Sequence, residues 1–413
     1  MYNIKSGTRM VQTLKNKKDK VFTLYNNSIN KSIEINYMGA RLLRLIKNKS
    51  LKIENLLGLS FIQELIQLNF ITNEENSNVM LSKKCHYKYP LTSISLELTN
   101  QCNLNCVHCY GSYGANVKGC FLPFDWIKNN LSEFNKLNVL KIALTGGEST
   151  LHPDFLKIVD FILSNGFELC VFTNGFNTNI IKQMLKNTKQ YHYVVKVSCD
   201  GPEQIHNKIR RSPYSFFRVI ETLDILKKYP NITTYISTAV MPANIDYISD
   251  FKKYIKRNYP NFIHTLDLVF PSGNGKDNYF SLQELKNVKK QIPELFNYSE
   301  GNHSRFRCSG GVNQCTISPD GTMKICNAAC ADAFAFKSNV FDLSLRKAWL
   351  HGGKNISYFR KEKFKNTKDC VNCKIRSICK MNDCRVMAYF YKGDIHCSNP
   401  ITCISAQNYF KQS

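Results

Sequence analysis

The sequence predicts an α/β protein, a partial (β/α)6 barrel preceded by a small winged-helix-like domain and followed by a cysteine-rich tail. Three observations predict it. Between about 91 and 275, six short runs rich in β-branched and apolar residues alternate with amphipathic stretches, the pattern of strand followed by helix. Ahead of them, three alternating segments precede two stretches with helical apolar spacing. Behind them, residues 301–413 hold ten of the 17 cysteines. A chain of 413 residues is long for one core and suits three units, read as 1–84, 85–300 and 301–413.

The front unit reads as strands "RMVQTLK", "KVFTLYN" and "KSIEIN", a three-stranded sheet, then helices "YMGARLLRLIKN" and "FIQELIQLNFITN". It is basic, with fourteen Lys or Arg against six Asp or Glu. A basic winged helix raises the reading of an iron-sulfur DNA-binding regulator. A recognition helix must offer Arg, Lys, Asn or Gln to base edges. Here the second helix offers Gln63, Gln67 and Asn69 but no cation, so nucleic acid is not the expected partner.

The barrel strands are "SISLELT", "LKIALTG", "ELCVFTN", "YVVKVSCD", "TYISTAV" and "LDLVFPS". Stretches such as "FDWIKNNLSEF", "FLKIVDFIL" and "FRVIETLDILKK" supply the helices. In strand-helix barrels the functional groups gather at the C-terminal strand edge. The tail, after a polar stretch near 275 to 305, shows little helical or strand periodicity and is expected to need metal to fold.

Charge and cysteine count limit the function. The formal charge of +25 points to an acidic partner without choosing among nucleic acid, membrane face, peptide and electron carrier. No run of about eighteen apolar residues and no signal-peptide pattern occurs, so the expectation is a cytoplasmic protein with no membrane partner. In that reducing compartment, clustered cysteines are metal ligands and scattered ones are small buried hydrophobes. Cys85, Cys120, Cys170 and Cys199 are expected to be of the buried kind.

The stretch "LELTNQCNLNCVHCYGSYG" ends a strand in Cys102, Cys106 and Cys109, spaced CxxxCxxC. Three thiolates can hold three irons of a cubane and leave the fourth open for a ligand from elsewhere. Structural zinc wants four protein ligands, usually two CxxC pairs, and no partner pair is near.

"CNLNCVHC" followed by "ALTGGEST" at the next strand end resembles the radical S-adenosylmethionine enzymes. The resemblance implies that Cys102, Cys106 and Cys109 hold a [4Fe-4S] cluster whose open iron is chelated by S-adenosylmethionine. The segment Gly146, Gly147 and Glu148 would contact the amino group, since paired glycines admit close backbone approach and a carboxylate suits an ammonium. His108 stands where the family prefers an aromatic residue, with backbone contact to adenine expected. "FTNG" with Asn174 and "SCDG" with Ser198 lie where the family places polar groups around the ribose. "HNKIRRS" resembles its "HDxIRG", which would aim Arg210 at the carboxylate; the competing reading of Arg210 and Arg211 is a solvated basic loop. No catalytic acid or base is assigned.

The tail pattern, C(x12)GxxxxC around the turn "SPDGT", then CxxCxxxxxC with further cysteines, resembles the SPASM domain. That implies two auxiliary [4Fe-4S] clusters, three clusters in all. One would use Cys308, Cys315, Cys326 and Cys384, although the spacing before Cys384 is four residues where three is usual. The other would use Cys370, Cys373, Cys379 and Cys403, with Cys397 as the alternative fourth ligand and Cys330 left over. The front unit resembles the PqqD-like domains that recognise leader peptides. Together these imply a maturase of ribosomally made peptides, supplied with electrons by a flavodoxin or ferredoxin, that forms thioethers between a cysteine sulfur and a carbon. Carbon-carbon or carbon-oxygen crosslinking, epimerisation and sulfatase maturation are the alternatives within the same chemistry.

Overall fold

The computed structural model describes residues 3–13, 21–72, 79–81, 87, 89–114, 116–296, 309–331, 334–361, 367–375 and 384–412. Strands β1 (Asn3–Ile4), β2 (Thr8–Thr13), β3 (Val21–Asn26) and β4 (Lys31–Ile35) lead into helices α1 (Tyr37–Lys47) and α2 (Ser60–Gln67), then β5 (Ile71–Thr72) and β6 (Met80–Leu81). Alternation puts Met10, Phe22 and Leu24 on one face, where they bury with Leu43, Ile62 and Leu65 of the helices. Asn36 caps α1 by accepting from the Gly39 N–H at 2.9 Å.

The β2–β3–β4 meander matches the sequence reading, but this sheet has four strands in the order β4-β3-β2-β6. The extra strand, β6, pairs parallel to β2 and is only two residues long, too short for alternation to reveal. β4 is left at the open edge, while β1 and β5 form a separate pair.

Strands β7 (Ser93–Thr99), β8 (Lys141–Gly146), β9 (Glu168–Thr173), β10 (Tyr193–Ser198), β11 (Ile232–Val240) and β12 (Ile263–Leu268) run parallel, in sequential order. Between them lie α3 (Phe124–Asn129), α4 (Leu131–Leu137), α5 (Phe155–Ser164), α6 (Thr178–Asn187), α7 (Glu203–Arg210), α8 (Ser215–Leu226) and α9 (Ile248–Asn258). Apolar residues at helical spacing on α5, Phe155, Ile158, Val159 and Ile162, join the core with Leu144, Leu169 and Val171 of the sheet. The stretch expected as one helix from 124 is two, divided at Asn130. The last strand starts at Ile263, three residues before the run "LDLVFPS", and stops within that run at Leu268.

The remaining elements are α10 (Leu285–Gln291), β13 (Gln314–Ile317), β14 (Met323–Lys324), α11 (Leu345–His351), α12 (Gly353–Lys361), α13 (Arg385–Lys392) and α14 (Pro400–Gln412). β13 pairs parallel with β7, so the barrel sheet has eight strands, β12 at one edge and β14 at the other. The "SPDGT" turn joins β13 to β14, with Gly321 at φ +83° and its N–H on the Ser318 carbonyl at 2.9 Å. Tail residues Cys315, Ile317, Met323 and Trp349 share the barrel's core. Among its described residues the tail contains a hairpin and four helices, although little periodicity marks them in the sequence. Its strands are two and four residues long, below the reach of a periodicity argument.

Arg9 fastens the front domain to the barrel. Its guanidinium donates to the Asn165 carbonyl at 2.7 Å, Asn135 Oδ1 at 2.7 Å and the Val139 carbonyl at 3.2 Å, and lies 3.6 Å over the Phe167 ring. Beside it, Val11 and Tyr25 bury against Leu140. Among the described residues no helix is long and apolar enough to cross a membrane.

Candidate functional site

The C-terminal ends of β7 to β12 surround a cavity of about 210 Å³. The loop after β7 brings Cys102, Cys106 and Cys109 to its wall, with His108, Tyr110 and Tyr113. β8 ends in Gly146, Gly147 and Glu148, β9 in Thr173 and Asn174, β10 in Ser198 and Asp200, and α7 in Arg210. The barrel residues that the resemblance assigned to the cluster and to S-adenosylmethionine therefore line one space.

The cysteine loop is held from three directions. Gly147 and Glu148 donate backbone N–H groups to the Thr99 and Gln101 carbonyls at 2.8 and 2.9 Å. A Cβ on Gly147 would stand 2.0 Å from the Gln101 carbonyl oxygen, and one on Gly146, at φ +122°, 2.3 Å from that of Thr99. The glycines thus admit the cysteine loop's own backbone, where the sequence reading had them admit a ligand. From the segment after β12, Asn274 Nδ2 donates to the Cys106 carbonyl at 3.1 Å and Asn278 Nδ2 to that of Val107 at 2.8 Å. The Asn274 N–H meets the Cys109 carbonyl at 2.9 Å, and the Val107 N–H bonds the Ile209 carbonyl at the end of α7 at 3.0 Å.

Glu148 is buried and fully engaged within the chain. Its Oε1 accepts from the Thr150 and Thr173 hydroxyls at 2.7 and 2.8 Å, and its Oε2 from the Asn174 N–H at 2.7 Å. Burial raises its pKa, against the lowering by those hydrogen bonds. Its carboxylate ties the β8 and β9 ends together, whatever its backbone offers the cavity.

Arg210 is buried, so the solvated-loop reading does not hold for it; the exposed neighbour is Arg211, which caps α7 at φ +53°. Arg210 Nε donates to Asp200 Oδ2 at 2.7 Å and Nη1 to Cys106 Sγ at 3.6 Å. Burial alone would raise the Asp200 carboxyl, but Arg210, with His108 and His206, holds it at about 2. His108, 4.0 Å from Asp200, is kept neutral, its pKa lowered to about 4 by burial and by Arg210. Its Nδ1 has no hydrogen-bond partner among the described residues. Asn174 Nδ2 reaches Cys102 Sγ at 3.6 Å and Asn103 Oδ1 at 2.8 Å. Burial pushes the free Cys102 thiol up to about 12 and raises Cys106 as well, so ligation there must displace protons.

The donor set fits the expected groups. Three thiols on one wall can each take one iron, Ser198 and Ser237 of the same cavity carry hydroxyls that suit a ribose, and His108, whose Nδ1 is buried without a partner among the described residues, lines it too. Asp200, which the sequence reading placed with Ser198 among the polar groups around the ribose, instead pairs with Arg210, while Asn274, Asn278 and Asp267, which also lines the cavity, were not assigned from the sequence. Asn274 and Asn278 belong to "GNGKDN", which on composition is a polar stretch without a role.

In the tail, Cys315 is buried in β13, while Cys326 and Cys384 pack against the same core. Cys370 and Cys373 lie on one turn, linked by the Cys373 N–H to the Cys370 carbonyl at 3.3 Å. Asp369 next to them accepts from Ser398 Oγ at 2.9 Å, and Ser398 Oγ lies 3.2 Å from Cys403 Sγ. Cys397, beside Ser398, sits at the same place, so both alternatives for the last ligand remain near this turn. Cys308 and Cys379, like Cys85, lie outside the described residues. Cys330 is exposed; Cys199 is buried as expected, but Cys120 and Cys170 are only half-buried, a correction to their reading as core residues. Among the described residues no three His, Cys, Asp or Glu side chains close around a point suited to one metal ion.

The thiol triad at the end of the first barrel strand is matched by the sequence model of the Radical SAM superfamily, which covers residues 96–255. This likeness marks residues 96–255 as a radical SAM unit and the protein as an enzyme of that kind, and it implies a [4Fe-4S] cluster and S-adenosylmethionine. Among its relatives, the AdoMet-dependent heme synthase of Methanosarcina barkeri is 25% identical over 341 residues, 73% of this chain and 93% of that protein. The mycofactocin maturase MftC of Mycolicibacterium smegmatis is 26% identical over 62% of this chain and 70% of its own length. The subtilosin biosynthesis protein AlbA of Bacillus subtilis is 24% identical over 56% of this chain and 54% of its own. In fold, the chain superposes on SuiB of Streptococcus suis, solved with its precursor peptide SuiA, at a TM-score of 0.67 and 15% identity, over 98% of this chain and 100% of that one.

Proposed function

We propose that this enzyme modifies a ribosomally made precursor peptide by joining a cysteine sulfur to a carbon atom as a thioether. The observation that carries the reading is the front domain: β4 stands at an open edge of its sheet, beside α1, where an extended leader segment can add as a further strand. Its excess of cations favours an acidic leader. Relatives whose names speak of maturation and bacteriocin biosynthesis, and a fold shared with a protein solved with its precursor peptide, support it.

In this reading Cys102, Cys106 and Cys109 would hold the open cluster, with S-adenosylmethionine beside Gly146–Glu148, Asn174, Ser198, Arg210 and His108. Bound there, the two supply a hydrogen-abstracting 5′-deoxyadenosyl radical. The chain's part is to orient and to exclude water: Leu104, Phe172 and Ala239 line the same cavity as the polar groups. Cys308, Cys315, Cys326 and Cys384, and Cys370, Cys373, Cys379 and Cys403, would hold two auxiliary clusters that carry off the electron left after ring closure. A flavodoxin or ferredoxin would supply the first electron.

The test is expression without oxygen together with the short reading frame beside the gene, followed by mass measurement. Loss of two hydrogens per bond, with the cysteine thiols no longer alkylatable, supports the reading. An unchanged peptide mass while S-adenosylmethionine is cleaved overturns it in favour of epimerisation or another substrate class.

A further inference from the structure

We propose that Arg210 and Asn174 set the reduction potential of the cluster site by donating hydrogen bonds to its ligand sulfurs. Each of the three thiols has an N–H donor, and Cys102 has the Leu104 backbone N–H as well. Asn174 Nδ2 lies 3.6 Å from Cys102 Sγ, Arg210 Nη1 3.6 Å from Cys106 Sγ, and the Tyr113 backbone N–H 3.3 Å from Cys109 Sγ. The third comes from the loop's own turn. The other two arrive from 72 and 104 residues away, so the loop's conformation does not entail them.

Both side chains are fixed in this role. Arg210 Nε is held by Asp200 Oδ2 at 2.7 Å, and the other Asp200 oxygen accepts the Ala239 N–H at 3.1 Å, which stops the pair from rotating away. Asn174 Oδ1 accepts the Phe176 N–H at 2.9 Å, which orients the amide so that its NH2 faces the sulfur. A donor to a ligand sulfur favours the more negative, reduced cluster and raises its potential. Arg210 adds a full charge in a buried place, where that preference is strengthened. The inference rests on the three thiols being the cluster ligands and is independent of the peptide product.

The test is an anaerobic redox titration of the reconstituted full chain, followed by electron paramagnetic resonance, using the signal that S-adenosylmethionine perturbs. Arg210→Gln should lower the reduction equilibrium on the order of tenfold, a fall of about 59 mV for a one-electron couple. Asn174→Asp, which keeps the acceptor for Phe176, should shift it in the same direction. Arg210→Lys should fall between, and Arg211→Asn, at an exposed left-handed position, should keep the wild-type midpoint. Should Arg210→Gln fail to load iron, Asn174→Asp decides alone. Variants that carry full iron and sulfide and titrate at the wild-type midpoint overturn the proposal. A Cys102→Ala chain that retains the perturbed signal overturns the ligand assignment instead.

Discussion

Gly147 shows how far a residue type can be read without its surroundings. Thiols suggest metal chemistry by type and spacing, and the fold brings Cys102, Cys106 and Cys109 to one cavity; a glycine declares only close approach, and the partner, the Gln101 carbonyl, is supplied by the fold. Gly147→Ala should cost about 3 kcal/mol and lower the iron bound per chain, measured by melting and metal analysis. His206 was not legible as a titrating group at all. Its Nδ1 accepts the Asp200 N–H at 3.0 Å, and burial with Arg210 nearby lowers its pKa to about 3. Between about pH 6.5 and 3 the unfolded chain binds a proton there that the folded chain refuses, so stability falls as pH drops through that window, by about 1.4 kcal/mol per pH unit. Denaturation midpoints at pH 7.5 and 5.5 should differ accordingly. His206→Asn, which retains an acceptor for the Asp200 N–H, should narrow that difference.

At the scale of elements, the six parallel strands were readable because each is an apolar run between helical stretches, whereas the join of β13 to β7 was not. Nothing in "QCTI" says which strand it neighbours, and the groups that secure the join are polar. Glu97 of β7 is buried, accepts from Ser318 Oγ at 2.7 Å, and pairs with Lys324 of β14 at 2.9 Å. Lys324→Met should cost about 3–5 kcal/mol, since it leaves a carboxylate buried without its cation. Glu97→Gln in the same chain should restore part of that, and a double-mutant cycle of melting data measures the coupling.

For the whole molecule, three units were expected; the tail shares the barrel's sheet and core, and the front domain meets the barrel through contacts that no pattern announces. Arg9 is the clearest: a buried guanidinium whose partners are carbonyls, one amide and a ring, none of them an acid. Arg9→Met should loosen the front domain while the barrel stays intact. Hydrogen exchange should rise across 3–72 and remain slow in β9, and S-adenosylmethionine cleavage without peptide should persist. The placement of β13 has a further consequence for biosynthesis. The ribosome delivers β7 more than two hundred residues before its outer neighbour exists, so the nascent barrel carries an uncovered strand next to its unloaded thiols. Slow translation, low temperature or a holdase during that interval should raise the yield of loadable protein, and chains truncated before 314 should aggregate.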